Sequence, residues 1–258
     1  MRAAFFGGIY NNYLALGAAL QDARRRGAEA IYCLGDIGGF GPCPDRSIEI
    51  LRSENIPVVQ GNYDDSVGNG RPDCGCGYTD PRDNHYARIS YAHTVEGTSA
   101  AHLPWLAGLP PRREVSWVAK RFIMVHGSPR QVNEFLWETT SPDDFLERLV
   151  LDARADVLLC THTGIPWQRE LPSGRRVVNV GALGRPANDG RTEVWYAFYD
   201  SERVQPFEFV PVAYDYRRLA REMQREKLPE EFVETILTGW WTTCLEILPA
   251  KERMRGRY

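Results

Sequence analysis

Three short apolar runs, residues 3–6, 30–34 and 57–60, each stop at a glycine. The segments between them carry a helical period: Leu14, Leu16, Ala19, Leu20 and Ala23 repeat on one face over residues 13–26, and a second helix is predicted over residues 45–53. Strand, helix, strand, helix, strand in that order is the pattern of parallel βαβ units, which leaves few folds open. The middle run is the most telling. Ile31-Tyr32-Cys33-Leu34 leads to Gly35-Asp36-Ile37-Gly38-Gly39-Phe40-Gly41-Pro42, so one carboxylate stands at a strand end inside a glycine-rich turn. Asp36 either serves the rim of a sheet or caps the following helix.

The rest of the chain reads more unevenly. Residues 67–91, rich in Gly, Asp, Pro and Asn and holding Cys74-Gly75-Cys76-Gly77, are expected as a long loop, and such loops usually carry function. A short helix is predicted over residues 99–106. Strands are then predicted over 114–118, 121–125, 157–160, 176–180, 194–199 and 204–210, with a helix over 142–154. Residues 215–227 and 230–237 have helical patterning and precede Trp240-Trp241. The expected organisation is one domain over residues 1–212 and a helical extension, 213–258, packed on it.

Composition narrows the function classes. A net charge of -3 supplies no field that would recruit nucleic acid or an anionic membrane. No stretch approaches a membrane span, and the first residues read as a strand, so a cytoplasmic protein is expected. The six cysteines are scattered through a chain long enough to bury a core without crosslinks, which favours reduced thiols.

Polar residues recur where predicted strands end: Asp36, Asn62, His126 and His162. Ligands of open α/β sheets collect at the carboxyl ends of strands, so the four can converge. Two imidazoles, a carboxylate and an amide oxygen suit a divalent transition ion such as zinc, manganese or iron. A single strand-end histidine is ordinary. Two of the five histidines in such settings, beside Asp36 and Asn62, point to a metal site.

These blocks resemble the calcineurin-like metallophosphoesterases, and among them the small bacterial phosphodiesterase-type branch. The run from Leu34 to Pro42 is similar to the family's strand-end GD turn, Gly61-Asn62-Tyr63-Asp64 to its GN-x-D block, and His126-Gly127-Ser128 to its third block. Thr161-His162-Thr163-Gly164-Ile165-Pro166 resembles the GHTHxP block, and Asn179-Val180-Gly181 the closing NxG. The resemblance implies a four-layer α/β/β/α sandwich with two mixed β-sheets. It also implies hydrolysis of a phosphodiester or phosphomonoester by a metal-activated water.

The departures are selective. The family's D-x-H-G-N block falls on Gly8-Ile9-Tyr10-Asn11-Asn12, so its Asp becomes Gly8 and its His becomes Tyr10. The second His of the fourth block becomes Gly164. All three losses belong to one metal of the family's pair, whereas Asp36, Asn62, His126 and His162 match the other. Tyr63 stands where many members carry a His that assists the leaving group, so Asp36, Asn62, Tyr63 and Tyr10 are the expected catalytic residues. One ion is expected. Cys74, Cys76, His85 and His93 are candidates for holding a second, with Tyr10 as a phenolate ligand. Asn12 and Arg130 are candidates for phosphate contacts, a guanidinium being suited to bidentate pairing.

Three functions follow: a phosphoesterase acting on a small phosphate ester with one intact metal site, a non-catalytic metal- and anion-binding pseudoenzyme, or a different metal chemistry drawing on the thiols. Arg185-Pro186 is expected at the rim of the site. Trp167, Trp195, Trp240 and Trp241 are expected to pack. The basic run 251–257 is expected as a solvated tail.

Overall fold

Alternate residues of β1, Arg2–Phe6, enter two different cores, and that alternation sets the architecture. Ala4 and Phe6 pack with Leu16, Ala19 and Leu20 of α1, Tyr13–Arg25, and with Ile48 and Leu51 of α2, Pro44–Ser53. Ala3 and Phe5 point the other way, against Phe122 and Met124 of β4, Lys120–Val125, and Leu159 of β5, Val157–Cys160. The remaining face of β4 and β5, with Ile123, Val125 and Leu158, packs on Leu146, Leu149 and Val150 of α6, Asp143–Asp152. Helices, sheet, sheet and helix make four layers, as the resemblance implies. The computed structural model describes residues 1–254.

The first sheet has four strands in the order β2-β1-β8-β9, where β2 is Ala30–Cys33, β8 Val194–Asp200 and β9 Phe207–Val212. Strands β1 and β2 are parallel, with Phe5 opposite Tyr32, and the other pairs are antiparallel. The second sheet runs β3-β4-β5-β7-β6, with β3 Arg112–Trp117, β6 Trp167–Glu170 and β7 Arg176–Asn179. Its central strands β4, β5 and β7 are parallel and its edges antiparallel.

Several expectations need correction. Residues 57–60 do not form a full strand: Val58 makes one bridge to Cys33, and Pro57 offers only its carbonyl, to Cys33 N. The expected loop 67–91 ends early. Asn62–Gly68 is α3, and Pro81–Gly97 is a 17-residue helix, α4, capped by the Asp80 side chain. The face that α4 buries mixes Ala87 and Tyr91 with Asp83, Ser90 and Thr94, which hides its period. A short 3-10 turn and α5, Leu103–Ala107, then lead into β3. Strand β6 was not expected, and β9 starts three residues later than predicted.

The C-terminal helices cover the glycine-rich turn. Leu219 and Met223 of α7, Tyr216–Arg225, and Phe232, Val233 and Ile236 of α8, Glu230–Thr238, close over Phe40. The basic run is not simply solvated: Ala250–Arg253 is a last helical turn, α9, whose buried Glu252 accepts hydrogen bonds from Thr139 N and Oγ1. Residues 255–258, the end of that run, lie outside the described residues.

Candidate metal centre

Two turns from different parts of the chain touch at Asp36, and glycine makes the contact possible. A Cβ on Gly61 would lie 2.4 Å from both the N and Oδ1 of Asp36, and one on Gly35 would lie 2.4 Å from Gly61 N. Asp36 itself has φ +53, a conformation unusual for a residue with a side chain and common at functional sites. What holds it is Asp64. That buried carboxylate accepts from Asp36 N at 2.9 Å, Ile37 N at 3.0 Å and Gly61 N at 2.8 Å, joining the two turns. The Asp36 carboxylate is thereby free to point into the site, where Oδ1 accepts from Tyr63 N at 3.1 Å. Asp64 stands in the Gly61-Asn62-Tyr63-Asp64 block, whose spacing alone gives it no role.

The histidines follow β4 and β5, one residue and two residues past the strand ends. His126 Nδ1 donates to Leu34 O at 2.7 Å, and His162 Nε2 donates to Cys76 O at 3.2 Å. A carbonyl only accepts, so each ring carries its proton on the outer nitrogen. The inner nitrogens, His126 Nε2 and His162 Nδ1, lie 3.1 Å apart, and Asp36 Oδ2 is 3.2 Å from the former. Three lone-pair atoms therefore face one another inside the protein, all within 4.8 Å. Such an arrangement requires a cation among them, either a proton or a metal ion.

Without an ion, His126 supplies that cation. Burial works against the charge on both Asp36 and His126, but their mutual attraction overrides it, holding the Asp36 carboxyl low and the His126 imidazolium high. Burial, followed by the neighbouring charge of His126, pushes His162 down to about 3, so it remains a neutral ligand. Burial, followed by Asp36, raises Asp64 to about 6.

Asn62 opens α3 beside these groups. Its Nδ2 donates to Cys74 O at 2.8 Å, while its Oδ1 is buried with no partner. An amide oxygen stripped of water and left unpaired is costly unless something electropositive meets it. The donor chemistry thus fits one divalent ion.

The odd cysteine insert reaches the centre by its main chain. Cys74 and Cys76 present carbonyls to Asn62 and His162, which fix the orientation of those side chains; the Cys76 thiol also accepts from Asn62 Nδ2 at 3.5 Å and lines the adjoining cavity. Asp36, His126 and His162 are the one group of His, Cys, Asp or Glu donors among the described residues close enough to share an ion, and no thiol joins it. His85 is exposed and packs edge-on against Tyr86, and His93 meets Pro42 O. Arg130 is on the surface, paired with Glu134 Oε1 at 2.7 Å. Asn12 spends its amide on structure: Oδ1 caps α1 at Ala15 N and Nδ2 donates to Gly184 O. These positions remove His85 and Arg130 from the centre and give Asn12 a structural task.

A cavity of about 60 Å³ opens from the donor group, room for several waters at the roughly 10–15 Å³ that one requires. Tyr10, Asp36, Tyr63, His162, Arg185 and Phe232 are among its walls. Burial and then Asp36 raise the Tyr10 pKa, so a phenol rather than a phenolate faces the cavity. Burial likewise keeps Tyr63 protonated, and its OH donates to Ser90 Oγ at 3.1 Å. Arg185, expected at the rim, is instead buried in the wall.

Solved structures share this architecture. A metallophosphoesterase from Sphaerobacter thermophilus is 28% identical, with a TM-score of 0.70 over 93% of this chain and 99% of its own. The hypothetical protein PH1004 from Pyrococcus horikoshii OT3 shares the fold, with a TM-score of 0.77 at 23% identity over 93% and 99% of the two chains. The uncharacterized protein MJ0912 of Methanocaldococcus jannaschii is 29% identical over 246 residues, 90% of this chain and 95% of its own. A family model described as the calcineurin-like phosphoesterase superfamily domain matches residues 1–202, a span that contains Asp36, Asn62, His126 and His162. With that span matched, the chain belongs to the calcineurin-like phosphoesterase superfamily.

Proposed function

We propose that this protein hydrolyses a small phosphate ester, a diester or monoester, using one divalent transition ion held by Asp36, Asn62, His126 and His162. The observation that carries this reading is the inward convergence of three lone-pair atoms within 4.8 Å, with both histidines anchored outward on main-chain carbonyls. Membership of the phosphoesterase superfamily supports the reaction class. Zinc, manganese or iron suits a set of two imidazoles, a carboxylate and an amide oxygen. Bound there, such an ion would polarise a phosphoryl oxygen and acidify a water.

The chain's own residues do the rest. Tyr63 N–H holds the Asp36 carboxylate in place. The Tyr10 phenol, kept neutral by burial, is a donor for phosphoryl or leaving-group oxygens; Tyr63 stands where the resemblance puts a proton donor and would serve there by releasing its bond to Ser90 Oγ. Domain organisation follows the same reading: residues 1–212 supply both sheets and every donor, and the helical extension roofs the cavity through Phe232.

The test is metal analysis of the purified protein together with hydrolysis of bis(p-nitrophenyl) phosphate and p-nitrophenyl phosphate. One ion per chain and turnover of either ester are expected, with both lost in Asp36→Asn and His126→Ala. Full ion loading without turnover on a wide phosphoester panel would favour the non-catalytic alternative, a metal- and anion-binding protein.

A further inference from the structure

The side of the cavity where the superfamily resemblance leads one to expect a second ion is built over. A Cβ on Gly8 would lie 2.5 Å from Tyr10 Cε1, so an aspartate there and the Tyr10 ring exclude each other. Gly164, with φ +76, backs onto the Trp241 indole, which a Cβ would approach to 3.0 Å. The same indole carries Arg185 on its face, with the guanidinium carbon 3.8 Å from the ring centroid, and Phe40 flanks it at 4.9 Å. Aromatic rings and a cation thus occupy the space that the absent ligands would have organised, and a two-ion centre does not fit these residues.

Arg185 is an unusual cation. It is 6% exposed and pairs with no carboxylate among the described residues. Its Nη2 donates to Thr243 O at 2.7 Å and contacts Thr243 Oγ1 at 3.5 Å, and its Nε is buried with no partner. Two aromatic faces offset only part of the cost of burying a charge. The guanidinium also lines the cavity that contains Asp36, Tyr10, Tyr63 and His162. A charge held in that position, lining the cavity and with no carboxylate to neutralise it among the described residues, is prepared for an anion.

We propose that Arg185 is the anion-binding group of this centre, its guanidinium taking a phosphoryl oxygen of the substrate in the role a second metal ion would otherwise fill. The inference rests on the phosphoesterase reading for its substrate, but not for its ligand, which any phosphate-class anion represents. It also assigns a purpose to the C-terminal segment: Trp241 and Thr243 position the arginine.

The experiment uses the full chain loaded with zinc or manganese and inorganic phosphate as the probe. Metal analysis should return one ion per chain in the wild type and in Arg185→Met alike. Calorimetric titration should show phosphate binding that weakens about 10- to 100-fold in Arg185→Met, the range expected for a hydrogen bond to a charged group, with Arg185→Lys between the two. In steady-state kinetics the loss should include a raised KM, which a structural defect alone would not single out while ion content stayed at one. Should Arg185→Met fail to fold, a crystal structure of the wild type with phosphate decides: a phosphate oxygen within hydrogen-bond distance of Arg185 supports the proposal, and phosphate elsewhere overturns it. Two ions per chain, no phosphate binding by the wild type, or equal binding in Arg185→Met would also overturn it. Phosphate binding through Arg185 without ester turnover would instead leave this inference standing and remove the hydrolase reading.

Discussion

The two sides of the cavity are built by different means. On the donor side, each side chain is fixed by the main chain: Asp36 by Tyr63 N, His126 by Leu34 O, His162 by Cys76 O and Asn62 by Cys74 O. On the opposite side, stacking is added to such bonds: Arg185 donates to Thr243 O but lies between Trp241 and Phe40, and Phe40 lies against Phe232 at 4.7 Å. Hydrogen bonds to backbone are directional, so the donor geometry follows from how the turns that carry it meet. Stacked rings supply area and cohesion, and their placement depends on how the C-terminal segment docks. On the proposed reading, holding an ion and holding an anion are separate structural problems in this molecule.

The largest break in that comparison should come from Trp241→Ala. It deletes a buried indole that also donates to Pro186 O, and we expect about 3–5 kcal/mol of destabilisation. Urea unfolding measures the loss. Metal content per folded chain should stay at one, and an ion lost with the indole would mean that the two sides are not separable. A smaller effect is expected from Asp64→Asn, which weakens the clamp on Asp36, Ile37 and Gly61. The cost should be about 1.5–3 kcal/mol, with ion affinity down about 10- to 100-fold. Competition with a chelator reads the affinity, and an unchanged value would detach Asp64 from the centre. Least affected should be the double variant Cys74→Ser, Cys76→Ser. Because the insert contributes carbonyls, metal analysis should still find one ion, at a stability cost of about 1 kcal/mol. Collapse of loading would instead return the thiols to the ligand set and revive a thiol-based metal chemistry.

The same division explains what could be read without a structure. Strand β2 and the Gly35-Asp36 turn, β4 with His126, and β5 with His162 are legible because each donor sits within two or three residues of the apolar run that delivers it. The two flanking helices α1 and α2 are legible because apolar residues recur at helical spacing on their buried faces, Leu16, Ala19, Leu20 and Ala23 in one and Ile48 and Leu51 in the other. Helix α4 is not, because Asp83, Ser90 and Thr94 take core positions: Ser90 Oγ accepts from Phe40 N, and Thr94 Oγ1 from Gly39 N. Its start signals, Asp80 as cap and Pro81 as first helical residue, look like loop chemistry until the cap is seen. Arg185 was readable only as a rim residue, since the sandwich around it joins residues 40, 185 and 241 across most of the chain. Asp64 lay in plain sight within a motif, yet nothing in spacing tells that a carboxylate is spent on three backbone amides rather than on a ligand.

His126 has one more consequence. It follows a strand of the five-stranded sheet, and the carbonyl it grips, Leu34 O, follows a strand of the four-stranded one. One nitrogen of the ring is therefore a rivet across the sandwich, and the other is the proposed donor for the ion. If the proposed ion is bound there, its occupancy and the spacing between the sheets become a single mechanical variable. Prising the layers apart would turn the ring away from the ion, and binding the ion would pull the layers into register.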